Sequence, residues 1–241
     1  MPVVSTPSRS FDVDTVVFDK DGTLVDLDAV WFPPAKGWVD AVASDDRELT
    51  GTLARRLGVD LDGCRLVPDS IAAASTFEHI GNETADELLG RGWSRDQIDA
   101  ALVRAAAAVD RAFDSAEPTM LADVPALFDH LVRSGLRLAL LTSDDRGPTL
   151  EFLDWLGARH LLDAVVTATD IEHPKPHPDG LRRIAAELGT SADRMLMIGD
   201  SVFDRQAARA AGTWFVAVGH RSAAAREADA SVGCIDELTA H

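Results

Sequence analysis

The chain has 241 residues, 46% hydrophobic and 26% charged, with a formal net charge of −17 at pH 7. That composition can bury a substantial core, and its acidity argues against a nucleic-acid partner, because phosphate backbones are met by clustered Lys and Arg. No stretch approaches the roughly 18 consecutive apolar residues of a membrane helix, and the opening MPVVSTPSRS lacks a targeting pattern, so a soluble cytoplasmic protein with no membrane partner is expected.

Residues 1–10 are expected to be a disordered tail. The first predicted strand, Thr15-Val16-Val17-Phe18, runs into the stretch FDKDGTLVD. Residues two apart on extended backbone point to the same side, so Asp19 and Asp21 can face one ligand. Gly22 behind them permits a turn that a Cβ would hinder. From about 30 to 118 the pattern is helical, with no convincing strand. Asp45 and Glu48 form a capping-box pattern ahead of Leu49, Leu53 and Leu57, and Gly58 marks the stop. Ser94 with Gln97 opens a second helix carrying Ile98, Leu102, Ala105, Val109 and Phe113. Residues 30–117 therefore read as a helical insertion, joined through linkers near 26–30 and 115–121 to a core made of 11–29 and 118–241.

After the insertion, short apolar runs at 138–142, 164–167, 195–198 and 214–218 alternate with amphipathic helices. Leu150, Leu153 and Leu156 recur at helical spacing, as do Leu181, Ile184 and Leu188, and Gly189 and Gly212 sit where helices should stop. Strand and helix alternating in this way predict an α/β fold, a doubly wound, Rossmann-like parallel sheet. Ligands of such sheets bind beyond the carboxyl ends of the strands. The second strand there ends in Thr142-Ser143, hydroxyl and N–H donors for an oxyanion. Lys175 follows the third, in a loop stiffened by Pro174, Pro176 and Pro178. The fourth ends in Gly199-Asp200-Ser201, with Asp204 one helical turn beyond Asp200 and expected on the same helix face. Each piece alone has an ordinary reading as turn, cap or loop; their succession at four strand ends points to phosphoryl transfer. Lysine occurs only at Lys20, Lys36 and Lys175, and the two cysteines, Cys64 and Cys234, are too isolated for a zinc site and read as free thiols.

FDKDGTL, LLTS, KPHPDGL and GDSVFDRQAARAAG resemble the four successive motifs of the haloacid dehalogenase superfamily of aspartate-nucleophile hydrolases, over about residues 12 to 220. The insertion between the first two motifs resembles the helical cap of the phosphoglycolate phosphatase and β-phosphoglucomutase branch. Two positions depart from the commonest pattern: Lys20 stands where an aliphatic residue is frequent, and Ser143 where Asn is frequent.

The resemblance implies Asp19 as nucleophile and Asp21 as proton shuttle. It implies Mg²⁺ held by the side chains of Asp19 and Asp200 and the backbone carbonyl of Asp21, with Asp204 orienting a metal-bound water. Gly22, Thr142, Ser143 and Lys175 would meet the phosphoryl group. Family members that cleave carbon–halogen bonds lack the second Asp, so its presence favours a phosphate ester, and a small phosphorylated metabolite is the expected partner of a monomer or homodimer. A mutase using the same phospho-aspartate and a non-catalytic binding module are the alternatives. Lys36, Arg65, Ser75, Thr76 and His79 of the insertion, and Arg146 after the second motif, are further candidates for substrate contact, each with a solvated surface role as its ordinary reading.

Overall fold

A strand covered on both faces needs apolar residues at consecutive positions, and Thr15–Phe18 is buried at all four. A computed structural model of the chain describes residues 2–114, 118–219 and 223–241. In chain order the first elements are β1 (Val3–Ser5), β2 (Ser10–Asp12), β3 (Thr15–Phe18), α1 (Leu27–Ala43), α2 (Arg47–Leu57), β4 (Val59–Asp60) and β5 (Arg65–Leu66). Then come α3 (Ile71–Ala74), α4 (Phe77–Gly90), α5 (Arg95–Asp114), α6 (Val124–Arg133), β6 (Arg137–Leu141), α7 (Arg146–Leu156), β7 (Ala164–Val166) and α8 (Asp179–Leu188). The chain closes with β8 (Met195–Gly199), α9 (Val202–Ala211), β9 (Trp214–Val218), β10 (Ala230–Val232) and β11 (Thr239–Ala240).

The chain divides into two compact units, one of residues 1–25 and 120–241, the other of 26–119. In the first, six strands form a parallel sheet in the order β10-β9-β8-β3-β6-β7. The oldest rule of the strand, alternate residues on opposite faces, explains its two layers. Val17 packs with Leu181, Ile184, Ala207 and Ala208 of α8 and α9. The next residue, Phe18, meets Phe128 of α6 with ring centroids 5.0 Å apart. Helices thus cover both faces, and β3, central and buried, carries the FDKDGT stretch out at its carboxyl end. The strand starts are pinned by Asp14, whose carboxylate accepts hydrogen bonds from Thr15 (2.8 Å), Thr190 (2.7 Å) and Arg137 (2.9 Å).

The sequence reading needs correction at several points here. Residues 3–5 are not a disordered tail: β1 pairs antiparallel with β2 and β11, placing Val4 opposite both Phe11 and Ala240. Val4 is fully buried, so one apolar residue in an otherwise polar run is enough to hold the segment. A sixth strand, β10, extends the parallel sheet by three residues, too few to show a period. Asp200 precedes α9 rather than sharing a face of it with Asp204, because Ser201 is the N-cap.

The second unit is helical apart from β4 and β5, an antiparallel pair of two residues each that the reading of 30–118 as strandless passed over. Its core unites Trp38, Val39 and Val42 of α1, Leu49, Leu53 and Leu57 of α2, Leu88 of α4 and Ile98, Ala101 and Ala105 of α5. Trp31 and Trp93 pack against this cluster, and the indole N–H of Trp38 donates to Thr84 Oγ1 at 3.0 Å. The cap of α2 is Asp46, one residue later than expected, accepting from the N–H groups of Glu48 and Leu49. Ser94 and Gln97 do exchange the reciprocal bonds of a capping box. Of the expected second linker, 115–117 lie outside the described residues. No helix among the described residues is long and apolar enough to cross a membrane. Cys64 and Cys234 are free.

Candidate active site

Asp19 is the first residue beyond β3, and its N–H still donates to Ile198 O of β8 at 2.9 Å. The ladder stops there because the chain turns: Lys20 O accepts from the N–H groups of Leu24 (2.8 Å) and Val25 (3.1 Å). Gly22 stands in this turn at φ +81, and a Cβ there would run into the Asp200 carboxylate. Both conformation and space therefore require glycine.

The carboxylate of Asp19 is buried, 6% exposed as a residue, and its Oδ1 accepts a hydrogen bond from Lys175 Nζ at 2.5 Å. The same ammonium donates to Asp204 Oδ1 at 2.6 Å and to the Leu141 carbonyl at 3.2 Å. Lys175 thus ties the ends of β3 and β6 to the first turn of α9. Asp204 is fully buried. Its second oxygen accepts from Ser201 N at 3.0 Å and Ser201 Oγ at 2.6 Å, the capping box that starts α9. The ordinary reading of this stretch as a helix cap is therefore realised at Ser201, and Asp204, the third residue of the helix, both completes the capping box and meets Lys175.

Asp19, Asp200 and Asp204 each offer an oxygen within 4.8 Å of the others'. Burial pushes the Asp19 carboxyl up to about 7; Lys175 pulls it down, and Asp204 pushes it up again. Burial, then Asp19 and Asp204, likewise raise Asp200 well above the carboxylate range. Burial would lower Lys175, but Asp19 and Asp204 more than offset this, so its ammonium is held more firmly than in water. Lys175 pairs with two of the three acids, Asp19 and Asp204, so the three carboxylates carry more negative charge than this one ammonium offsets. An oxygen-only donor set that needs another cation suits a hard divalent ion. The residues present therefore fit a metal such as Mg²⁺.

Asp21 lies apart from this trio. Its Oδ1 accepts from Lys20 Nζ at 2.7 Å, and its side chain is 16% exposed against 8% for Asp19. The two acids of the opening motif thus differ in environment, one buried beside Lys175 and one nearer solvent beside Lys20. Lys20 also pairs with Asp144 at 3.3 Å and lies over the Phe152 ring at 5.4 Å, bridging the loops after β3 and β6. Burial would lower Lys20, yet Asp21 and then Asp144 raise it overall. The sequence marks Lys20 as one of three lysines and as a departure from the family pattern, but gives it no partner and does not single out Asp144. The signal was present, since a chain with three lysines places one between two acids.

Thr142, buried, follows β6, and its hydroxyl accepts from Asp144 N at 3.1 Å. Ser143 beside it is exposed. Arg146 is engaged elsewhere, donating to Asp170 Oδ2 at 2.7 Å. In the helical unit Lys36 pairs with Asp40, Arg65 with Asp60 at 2.8 Å, and Thr76 caps α4 by accepting from His79 N at 3.3 Å. Ser75 and His79 are exposed.

A parallel sheet with a carboxylate–lysine cluster at its carboxyl edge places this chain among α/β enzymes that act on anionic groups. It belongs to the haloacid dehalogenase-like hydrolases, whose family pattern matches residues 13–212. Hydrolases of this family generally depend on a metal ion. Among its relatives is a phosphoglycolate phosphatase of Rhodospirillum rubrum, 31% identical over 225 residues that cover 91% of this chain and 84% of that one. Another is the pyrophosphatase PpaX of Bacillus velezensis, 25% identical over 203 residues, covering 83% and 81%. A predicted phosphoglycolate phosphatase from Haemophilus somnus superposes with a TM-score of 0.66 over 93% of this chain and 95% of that one. At 16% identity that last likeness speaks for the fold.

Proposed function

We propose that this chain is a Mg²⁺-dependent phosphatase that hydrolyses a small phosphorylated metabolite through a phosphorylated Asp19. One observation carries the reading: a buried carboxylate, Asp19, shares its lysine with Asp204 and lies beside Asp200, two residues from a second acid in a different environment. The relatives named for phosphoglycolate and pyrophosphate support a small anion as substrate. The net charge of −17 disfavours nucleic acid, and a cytoplasmic monomer or homodimer free of membranes goes with the reading.

In the first step an Asp19 oxygen attacks phosphorus, the bond from phosphorus to the leaving oxygen breaks, and Asp21 donates its proton to that oxygen. In the second, Asp21 takes a proton from water as the water oxygen attacks the phosphorus of phospho-Asp19. The bond to Asp19 breaks, and inorganic phosphate leaves. Lys175 and the hydroxyl of Thr142 hold phosphoryl oxygens, and Lys175 offsets negative charge as it builds up. Asp19, Asp200 and the backbone carbonyl of Asp21 would hold Mg²⁺, with Asp204 behind them. When bound, the ion lessens repulsion between the Asp19 carboxylate and the phosphate. Lys20, paired to Asp21, fixes the direction of the proton carrier.

The test is phosphate release from a panel of small esters. Asp19→Asn, unable to form an acyl phosphate, is expected to lower kcat by about 10³-fold or more with the fold retained by circular dichroism. Asp21→Asn is expected to lose far more on alkyl than on activated aryl phosphates, whose leaving groups need no proton. Chelation is expected to abolish turnover and Mg²⁺ to restore it. Turnover surviving in Asp19→Asn, or isomerisation of a sugar phosphate without phosphate release, would defeat the reading.

A further inference from the structure

A second group of ligand side chains lies in the loop between β7 and α8, and it differs in kind from the first. His173 Nδ1 lies 3.0 Å from Asp179 Oδ2, and His177 Nδ1 lies 2.9 Å from Asp179 Oδ1. The imidazole centroids are 4.6 Å apart, and one ligand atom from each of the three residues falls within 4.8 Å of the others. We propose that His173, His177 and Asp179 form a binding site for Zn²⁺, separate from the oxygen site at Asp19.

Geometry carries the proposal. Tetrahedral zinc with bonds of about 2.0–2.1 Å sets its ligand atoms about 3.3 Å apart. The two nitrogen–oxygen separations, to opposite oxygens of one carboxylate, are a few tenths of an ångström below that value, and with one atom from each residue within 4.8 Å of the others, side-chain rotation at the surface can bring all three onto one ion. The Asp179 carboxylate offers one oxygen to each ring. Loop stiffness contributes as well. Pro174, Pro176 and Pro178 alternate with His173, Lys175, His177 and Asp179, and His177 N donates to Pro174 O at 3.0 Å, so the loop loses little freedom on binding. The side chains of His173 and His177 are 55% and 46% exposed, which admits the ion and leaves water to complete its shell.

Ligand chemistry selects the metal. Two imidazoles and one carboxylate suit zinc and its neighbours in the transition series, whereas Mg²⁺ prefers oxygen alone. The Asp19, Asp200 and Asp204 trio contains no imidazole, so the two sites sort the two ions. The ligands flank Lys175 in sequence, and an ion held there restrains the loop that carries the active-site lysine.

The experiment is equilibrium dialysis of the full chain against ZnCl₂ in a large excess of MgCl₂, with zinc K-edge X-ray absorption on the loaded protein. One zinc per chain is expected, with two imidazole nitrogens at about 2.0–2.1 Å. Loss of a mere outer partner weakens metal sites about 10–100-fold, so His173→Gln with His177→Gln is expected to weaken zinc binding at least as much. Asp179→Asn is expected to weaken it too. An all-oxygen shell, unchanged affinity in the double variant, or no zinc retained against Mg²⁺ would overturn the proposal. Phosphate release with Mg²⁺ alone is expected to be the same in the double variant and the parent. Failure of the parent to release phosphate would defeat the phosphatase reading and leave the zinc result to stand by itself.

Discussion

The two units of this protein differ in where they bury charge. In the helical unit, charged side chains lie at the surface and are matched one against another: Arg56 with Glu83 at 2.8 Å and Glu87 at 3.3 Å, Arg91 with Glu87 at 2.8 Å. In the sheet-bearing unit, three carboxylates and one ammonium are gathered at the strand ends, and Asp19, Lys175 and Asp204 expose 8%, 4% and 0% of their side chains. Surface pairs stay hydrated and contribute little. Buried groups surrender hydration and depend on one another, so that removing one partner leaves the rest exposed to the full desolvation penalty. The difference marks where the fold holds chemistry and where it holds structure.

Lys175→Met is the harshest test of this contrast. It strips the shared ammonium from Asp19 and Asp204 and is expected to lower stability by about 3–5 kcal/mol in urea unfolding, and to abolish phosphate release. A loss no larger than that of a surface pair would refute the picture of an interdependent cluster.

Lys20→Met comes next. It frees Asp21 from its partner and is expected to lower kcat on an alkyl phosphate about tenfold, a small part of what acid–base catalysis supplies, with less loss on an aryl phosphate. Lys20→Arg should recover most of the activity, since a cation is restored. Equal losses on both esters would make Lys20 a structural residue only.

Asp170 sits between the extremes. Burial alone would raise its pKa, but the hydroxyl and N–H of Thr167 and then Arg146 outweigh it and hold the carboxyl below its ordinary value. A carboxyl depressed in the folded state stabilises above its unfolded pKa, and the contribution disappears as pH falls through the folded value. Asp170→Asn is expected to cost about 0.5–2 kcal/mol at pH 7, as loss of a capping side chain does. The gap from the parent should shrink below about pH 4 in pH-resolved denaturation. A gap that stayed constant down to pH 2 would contradict the assignment.

The smallest effect belongs to the helical surface. Arg56→Ala, despite two ion-pair partners, is expected to cost less than about 1 kcal/mol, and less again in high salt. A larger loss would show that the surface pairs form a cooperative network.

Much of the fold was legible because its signals are local. A strand buried on both faces is written as consecutive apolar residues, as at 15–18 and 195–199, and a helix stop as glycine, borne out by the left-handed conformations of Gly58, Gly189 and Gly212. Of the elements of two or three residues, β7 was legible as an apolar run, whereas β1, β4, β5 and β10 escaped. Such short runs are held by their pairing and not by a visible period, and Val4 owes its place to Phe11 and to Ala240 at the far end of the chain. The cap of α2 slipped from Asp45 to Asp46 because either aspartate can serve and only the helix register chooses.

The site divides along the same line. By itself the chain determined which candidate groups exist and in what order: Asp19 and Asp21 after β3, Thr142 after β6, Lys175 in the loop after β7, and Asp200 and Asp204 after β8 are all readable, since each motif is short and follows a strand. Tertiary structure alone decided how they combine. That Lys175 joins Asp19 to Asp204, that Asp21 turns instead to Lys20, and that Lys20 reaches Asp144 are contacts between residues 1 to 156 positions apart. Ionic contacts of this kind depend on distances of a few ångströms and on the exclusion of water. Those quantities come into being only when the strands lie side by side.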